Sequence, residues 1–584
     1  MEVREVREVL APLALDPPDL EMLRPTEASY TCLLLQPSGP IFADANRIGG
    51  HDSNLNQRKA LAFARLANER GAHLAVSPEY FTPWAAVTAL IEQGVVPPPG
   101  TLWVFGCESI HQDELDEFKV NVADSCEVVY EPCNALAADR PLLDPVVLLF
   151  VTNRADGASR LVALVQFKTH PSRDDIFFEE GILKRGTRIY KFLGACGTLS
   201  TVALICSDAF GLTDASVVGL VDRSTLIHIQ LNPDPRNSVY RQYRKAAFAL
   251  DPRASDCHIL CLNWARTVVQ HDGDGNTATW PAVGCSAWYC PDDACSQHDD
   301  IVLPNHRHGL YYTHMAERRH AILFDYDEAA FECRVPKVFT RVQAVLVNKN
   351  GPNAVARYEW NNDASVWAVQ SDSRKAGFDL LLESQADAAA ALAHVDRDNA
   401  LNVERLLALS AGTIVIGKGD WYGLKNIDSF GIDADEIVRR VTVVQDPNNV
   451  AEDFRHARLN VVANIRHELD IRPTWPPQIA GTDQNAQIEW ATDTGNFNVL
   501  CADGRRALIC YLGDAPNPRK LENIPSKLID LLRQAGGPDQ TRLCVCYRHF
   551  GELNFAPLPG MTRIDDALLD ERDFLSVDPA ETQE

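Results

Sequence analysis

Three residues whose types could share one covalent reaction sit in similar surroundings: Glu79 ends HLAVSPE, Lys168 ends LVALVQFK and Cys206 ends TVALIC. Each closes an apolar, strand-like run, the place where α/β sheets collect ligands and chemistry. A cysteine attacks as the thiolate, so at neutral pH it needs a base or a lowered pKa. A carboxylate beside it can take the thiol proton. An ammonium favours the thiolate and can stabilise a developing oxyanion. Taken singly, each residue has an ordinary reading: a small core hydrophobe, a solvated loop glutamate, a surface lysine. Together they supply the three functions of an amide-cleaving thiol enzyme that uses no histidine.

The elements that must position them read as follows. SYTCLLLQ, HLAVS, LWVFGC, VVLLFVTN, RLVALVQF, TVALI, TLIHIQL and HILCL are strand candidates. LNQRKALAFARLANERGA carries Leu55, Leu61, Ala62, Leu66 and Ala67 at helical spacing, with Gly71 as a stop. Strands alternate with helices, but several strands come in pairs. That predicts an α/β fold of the layered α-β-β-α kind rather than a simple parallel sheet. The strand TVALI has no polar face beyond Thr201, so Cys206 is the first residue to emerge. Ser-Asp-Ala then opens a turn or helix that leaves an N–H free beside the thiol.

The chain has 584 residues, too many for one ordinary core, so at least two domains are expected. The predicted organisation is an N-terminal arm (1–27), a main domain (28–345), a linker (346–364) rich in polar residues, Gly and Pro, and a second α/β or α+β domain (365–584). A net charge of -25 disfavours nucleic acid and anionic membranes as partners. No apolar run spans a bilayer, and MEVREVREVL lacks the apolar core of a secretory signal. The 16 scattered cysteines then read as reduced thiols in a cytoplasmic protein.

The ordered series resembles the nitrilase, or carbon–nitrogen hydrolase, superfamily over residues 28–340. The motifs are Pro78-Glu79, Phe167-Lys168-Thr169-His170 and Cys206-Ser207-Asp208, with supporting strands ending at Gln36, Asn232-Pro233 and Asn263, and the late stretch VGCSAWYCPDD. The resemblance implies Glu79 as general base, Cys206 as nucleophile and Lys168 as oxyanion stabiliser, with the backbone N–H of Ser207 as a second oxyanion donor. It also implies a further glutamate between lysine and cysteine. DDIFFEEGILKRG offers Glu179 and Glu180, which cannot both point one way, and the reading favours Glu180. The implied reaction is thiolate attack on an amide or carbamoyl amide, with nitriles second, through a covalent acyl-enzyme. Homo-oligomers are common in such a family.

Tyr80, Phe81, Trp84 and Asn232 are candidate walls of the substrate site, and Arg173 a candidate for holding an acidic substrate group. The Glu79–Lys168 spacing is long for the family, and 111–145 reads as an insertion near the pocket. Cys285, Cys290, Cys295 and His298 are too widely spaced for a zinc site, and no phosphate loop is present, so neither a metal nor a cofactor is expected. The 365–584 region carries no motif tied to chemistry; GKGDWYGLKN (417–426) reads as a turn. A competing reading from another class makes the first domain an oligomerising or sensing module. Its protein partner would be reached through the C-terminal domain, in a multi-component system such as a bacterial defence one.

Overall fold

The computed structural model describes residues 1–132, 140–173, 179–233, 240, 257–265, 268–280, 286–291, 304–315, 319–338, 352–370, 376–397, 400–413, 441–442, 449–490, 496–535 and 537–559. They fall into two compact units, one within Met1–Arg374 and one from Lys375 onward.

Among the described residues, the first unit is built on two large sheets. One has nine strands in the order Val366–Val369, Asn353–Asn361, Ala329–Pro336, Ser29–Gln36, Leu74–Thr82, Leu102–Cys107, Pro145–Asn153, Ser159–Phe167 and Cys126–Tyr130. The other has eight: Glu2–Glu5, Arg188–Leu193, Ser200–Ile205, Ser224–Ile229, His258–Leu262, Ala287–Pro291, Arg319–Phe324 and Leu310–Met315.

The central strands are apolar on both faces because both faces are covered. Along the nine-stranded sheet Leu33, Leu35, Ala75, Trp103, Phe105, Val147 and Leu149 form one core with Phe63, Ala64, Val87 and Leu90 of the helices Ser53–Glu69 and Trp84–Glu92. The alternate residues Leu34, Val76, Val104 and Leu148 are equally buried on the other face, as a period of two requires. Asp52 starts the longer helix by accepting the Leu55 N–H at 2.9 Å.

Two buried glutamines tie the sheets together. Gln166 donates to the Ala203 carbonyl at 2.9 Å and accepts from Tyr190 N at 3.0 Å. Gln36 donates to the carbonyls of Asp325 and Asp327 and accepts from Ser286 N at 3.1 Å. Phe150 meets Phe192 edge-on across the same space, with centroids 5.5 Å apart. The helix Asp214–Val221 packs on the Ser224–Ile229 strand. This is the mixed α/β, layered architecture that the paired strands predict.

Two expected boundaries differ. The predicted arm 1–27 belongs to the unit: Glu2–Glu5 pairs in parallel with Arg188–Leu193 as an edge strand of the eight-stranded sheet. Where the linker 346–364 was expected, Asn353–Asn361 pairs with Ala329–Pro336 and then with Val366–Val369. Its polar residues belong to the last two strands at one end of the sheet, which keep many solvent-facing positions. The 111–145 stretch, read as an insertion, supplies the helix Gln112–Asn121 and the strand Cys126–Tyr130, which extends the sheet in parallel beside Ser159–Phe167.

The second unit has a five-stranded sheet, among the described residues, in the order Gln487–Ile488, Val499–Leu500, Arg506–Asp514, Leu543–His549 and Glu552–Phe555. The helix Asn449–Ile471 shares its core through Leu459, Val462, Ile465 and Leu469, beside Ile509 and Cys544. The 417–426 stretch, Cys285, Cys295 and His298 lie outside the described residues. Among the described residues no helix is long and apolar enough to cross a membrane.

Candidate active site

Glu79 lies inside the strand Leu74–Thr82, where the pairing register shifts between Ser77 and Thr82, and Lys168 directly follows Ser159–Phe167 of the same nine-stranded sheet; Cys206 directly follows Ser200–Ile205 of the facing sheet. The sheet ends therefore bring residues 127 positions apart into one buried cluster, by the arithmetic 206 minus 79. Lys168 Nζ donates to Glu79 Oε1 at 2.7 Å and to both Glu179 carboxylate oxygens at 2.8 Å. Asp144 Oδ2 stands 3.5 Å from the same ammonium. The four side chains are 1–2% exposed. Glu79 Oε2 also accepts from Leu231 N at 2.5 Å, and the Glu79 carbonyl accepts from Trp264 Nε1 at 2.8 Å.

Glu179, not Glu180, takes the place beside Lys168. A single helical turn, Glu179–Ile182, points the first of the pair inward, where it also accepts from Tyr80 Oη at 2.8 Å and Ser172 N at 2.6 Å. Glu180 faces solvent near Arg173 and Arg185, with a side chain 50% exposed. Arg173 is 87% exposed, so its partner here is that surface glutamate rather than the cluster.

Cys206 begins a short 3₁₀ turn, Cys206–Gly211, directly after the buried strand. Its backbone sits at φ +40°, a left-handed value that L side chains adopt at a cost of roughly 1–3 kcal/mol. Tyr80, after the base, is left-handed too, at φ +60°. Two contacts hold the cysteine there. Its carbonyl oxygen lies 2.7 Å from His228 Nε2, and its Sγ lies 3.3 Å from the Tyr240 hydroxyl.

Asp208 braces the turn against the lysine strand. Its Oδ1 accepts from Thr169 N at 2.6 Å, Thr169 Oγ1 at 2.7 Å and His170 N at 3.1 Å, and its Oδ2 accepts from Ile205 N at 3.1 Å. Ser207 donates its hydroxyl to the His170 carbonyl. A Cβ on Gly211 would stand 1.9 Å from the His170 ring, so a glycine is required at this approach. Replacing Asp208 with alanine leaves three buried N–H groups without their acceptor. The expected result is a stability loss of about 3 kcal/mol or more, read by denaturant unfolding.

The electrostatics follow from burial. Burial works against the Lys168 charge, but Glu179 and Glu79 outweigh it and hold the ammonium well above its ordinary range. Burial pushes Glu79 up, partly offset by Lys168. Burial, then the Glu79 charge, push the Cys206 thiol well above the usual value, and the opposing pull of Lys168 does not restore it. The pull of the cation thus does not offset burial. The thiol rests protonated and needs a base at the moment it reacts.

The aromatic residues expected as walls of the substrate site have the following partners. Tyr80 supports Glu179, and Phe81 is buried edge-on against Trp264 at 5.9 Å. Trp84 opens a helix, donates to the Glu108 carbonyl at 3.1 Å and packs on Phe118 at 5.0 Å. Tyr80, at φ +60°, breaks the pairing register of its strand between Ser77 and Thr82. Asn232 is buried in a reciprocal pair with Asn263: its N–H donates to Asn263 Oδ1 at 3.1 Å and its carbonyl accepts from Asn263 Nδ2 at 2.8 Å. Asp144 and Tyr240 are neighbours of the cluster that the motif series passed over. Asp144 had a readable signal, because the hairpin pairs Pro145 with Phe167 and so sets Asp144 beside Lys168. Tyr240 lies far along the chain and had none.

No family model matches the chain, and no curated relative matches it. Among solved structures it is similar to an amidase from Nesterenkonia sp., at 13% identity over 45% of this chain and 82% of that chain, with a TM-score of 0.25. A second structure of that enzyme, described as an amidase from the nitrilase superfamily, gives 13% identity, 46% and 84% coverage and a TM-score of 0.24. A glutamine-dependent NAD+ synthetase from Acinetobacter baumannii gives 14% identity over 75% of this chain and 73% of that chain, with a TM-score of 0.26. At these values the chain has a likeness to a set of proteins that includes a nitrilase-superfamily amidase, while the chemistry of its own site stands on the side chains described above.

Proposed function

We propose that the first unit hydrolyses non-peptide carbon–nitrogen bonds, in amides or carbamoyl amides ahead of nitriles, through a covalent intermediate on Cys206. The observation that carries this reading is the buried Glu79–Lys168–Glu179 cluster, electrostatically coupled to a cysteine on a left-handed turn at a strand end.

Glu79 takes the thiol proton as Sγ bonds to the carbonyl carbon, and the C=O π pair moves onto oxygen. The Lys168 ammonium and the Ser207 N–H stabilise that oxyanion. On collapse the C–N bond breaks and the leaving nitrogen takes the proton from Glu79, leaving a thioester. Glu79 then takes a proton from water as its oxygen attacks. The C–S bond breaks, the acid leaves, and the proton returns to sulfur. An amine in place of water would give acyl transfer by the same steps. Glu179 keeps Lys168 charged and fixed throughout.

The test incubates the full chain with a panel of small amides and carbamoyl amides and reads intact mass. An acyl adduct on Cys206 supports the reading; no adduct with any member, and no turnover lost in Cys206→Ala, sinks it. The reading also fixes a pH dependence. Glu79 must be ionised to accept the thiol proton, and its pKa lies above the ordinary 4.5. kcat/KM should therefore be low in acid and rise with pH through that raised value. A profile of kcat/KM against pH that is already flat at the ordinary carboxylate value would remove Glu79 as the base.

A further inference from the structure

Lys168 is surrounded by more acid than one ammonium can neutralise. Carboxyl oxygens of Glu79, Asp144 and Glu179 all lie within 4.8 Å of one another, and all three side chains are buried. Three ionised carboxylates around one cation in so dry a place repel one another, and like charges at this range do not all ionise.

The hydrogen bonds show which carboxyl differs. Glu179 receives Lys168 twice, Tyr80 Oη and Ser172 N. Glu79 receives Lys168 and Leu231 N. Neither Asp144 oxygen receives a donor, and its approach to the ammonium is the longest of the three, at 3.5 Å. Its backbone is nonetheless fixed in place, since Lys168 N donates to the Asp144 carbonyl at 2.9 Å. The titratable groups facing it are Glu79 and Tyr80 from one strand, Cys107 from the next, and Lys168 and Glu179. Burial first, and then the charge of Glu79, push the Asp144 carboxyl well above its ordinary range, and a Glu79 carboxyl oxygen lies within 4.8 Å of one of its own. Tyr80 and Cys107 are likewise pushed up by burial and stay neutral.

We propose that Asp144 stands as a neutral carboxylic acid and donates a hydrogen bond to Glu79, making it a positioning residue that keeps the neighbouring carboxylate ionised and aimed. A donor to the charged form favours that form, so the neutral acid supports the base where an ionised one would repel it. The consequence for catalysis rests on the function proposed above; the location of the proton does not.

The test is infrared spectroscopy of the substrate-free full chain near neutral pH. A protonated-carboxyl stretch is expected in the wild-type protein, lost in Asp144→Asn and shifted in Glu79→Gln. Its absence from the wild type, or its persistence in Asp144→Asn, overturns the proposal. Should Asp144→Asn not fold, carbon-13 label in the aspartate carboxyls of the wild type should move the band, and movement by glutamate label instead overturns it. Thermal unfolding gives a second readout. A carboxyl whose folded pKa is raised contributes stability below its unfolded pKa and loses it as pH rises through the folded value. The Tm of Asp144→Asn minus that of the wild type should therefore widen by several degrees from about pH 5 to about pH 8; a flat or narrowing difference counts against it. A missing Cys206 adduct with the infrared band present would sink the hydrolase reading and leave Asp144 as stated.

Discussion

Cys206→Ala should lose covalent capture entirely and lower kcat/KM by a factor on the order of 10⁴ or more, as removal of a nucleophile does elsewhere. The size of the effect follows from how little else can replace the sulfur. Cys206 Sγ is in contact with the Tyr240 hydroxyl, but a phenol pushed above its ordinary range by burial is a weak nucleophile. The fold should survive the change. The side chain lost is small, and the turn is held by the Cys206 carbonyl at His228 and by Asp208, neither of which uses the thiol. Unfolding midpoints within a degree or two of wild type, with turnover gone, would separate a chemical role from a structural one. Turnover retained in Cys206→Ala would remove the thiol from the reaction.

Lys168→Met should be the most damaging single change to the first unit. It leaves Glu79 and Glu179 buried without their common partner, and breaking a buried ion pair from one side costs about 3–5 kcal/mol. Denaturant titration of the full chain should show the loss in the transition of the first unit. Two effects are then separable by a double variant. Lys168→Met with Glu179→Gln removes one buried charge of each sign, so stability should recover in part. Activity should not recover, because the oxyanion still has no cation. Recovery of both would mean that Lys168 serves the fold alone; recovery of neither would mean that the cost lies in packing rather than charge.

The sequence made the ends of strands legible because burial writes itself as an apolar run, and the first charged or nucleophilic residue after such a run is visible. Glu79, Lys168 and Cys206 all announce themselves this way, and the structure sets Lys168 and Cys206 directly after Ser159–Phe167 and Ser200–Ile205, with Glu79 inside Leu74–Thr82 at a break in its pairing register. Which of Glu179 and Glu180 turns inward was not legible. The parity of an adjacent pair depends on a one-turn helix too short to leave a periodic signal. The partners of the aromatics after Glu79 were not legible, because they depend on a left-handed strand residue, Tyr80, that nothing in its side chain announces. Asn353–Asn361 read as a linker because a half-exposed strand near the end of a sheet carries the polar residues of a loop. The facing of the two sheets through Gln36 and Gln166 needs contacts between strands far apart in the chain, which local pattern does not encode.

The protonated state of the Cys206 thiol also governs how the protein meets reagents and oxidants. Alkylators and peroxides react with exposed thiolates, and the rate follows both access and ionisation. Cys206 is buried with its pKa raised, as are Cys107 and Cys510, whereas Cys196 is the exposed free cysteine among the described residues. The thiol proposed as the nucleophile is thus protected in the resting protein, and between the two a general electrophile would mark Cys196 ahead of Cys206. Only a molecule that fits the site and offers carbon to sulfur while Glu79 takes the proton would reach Cys206 ahead of it. The same burial that slows the thiol at rest makes its labelling a measure of recognition rather than of reactivity.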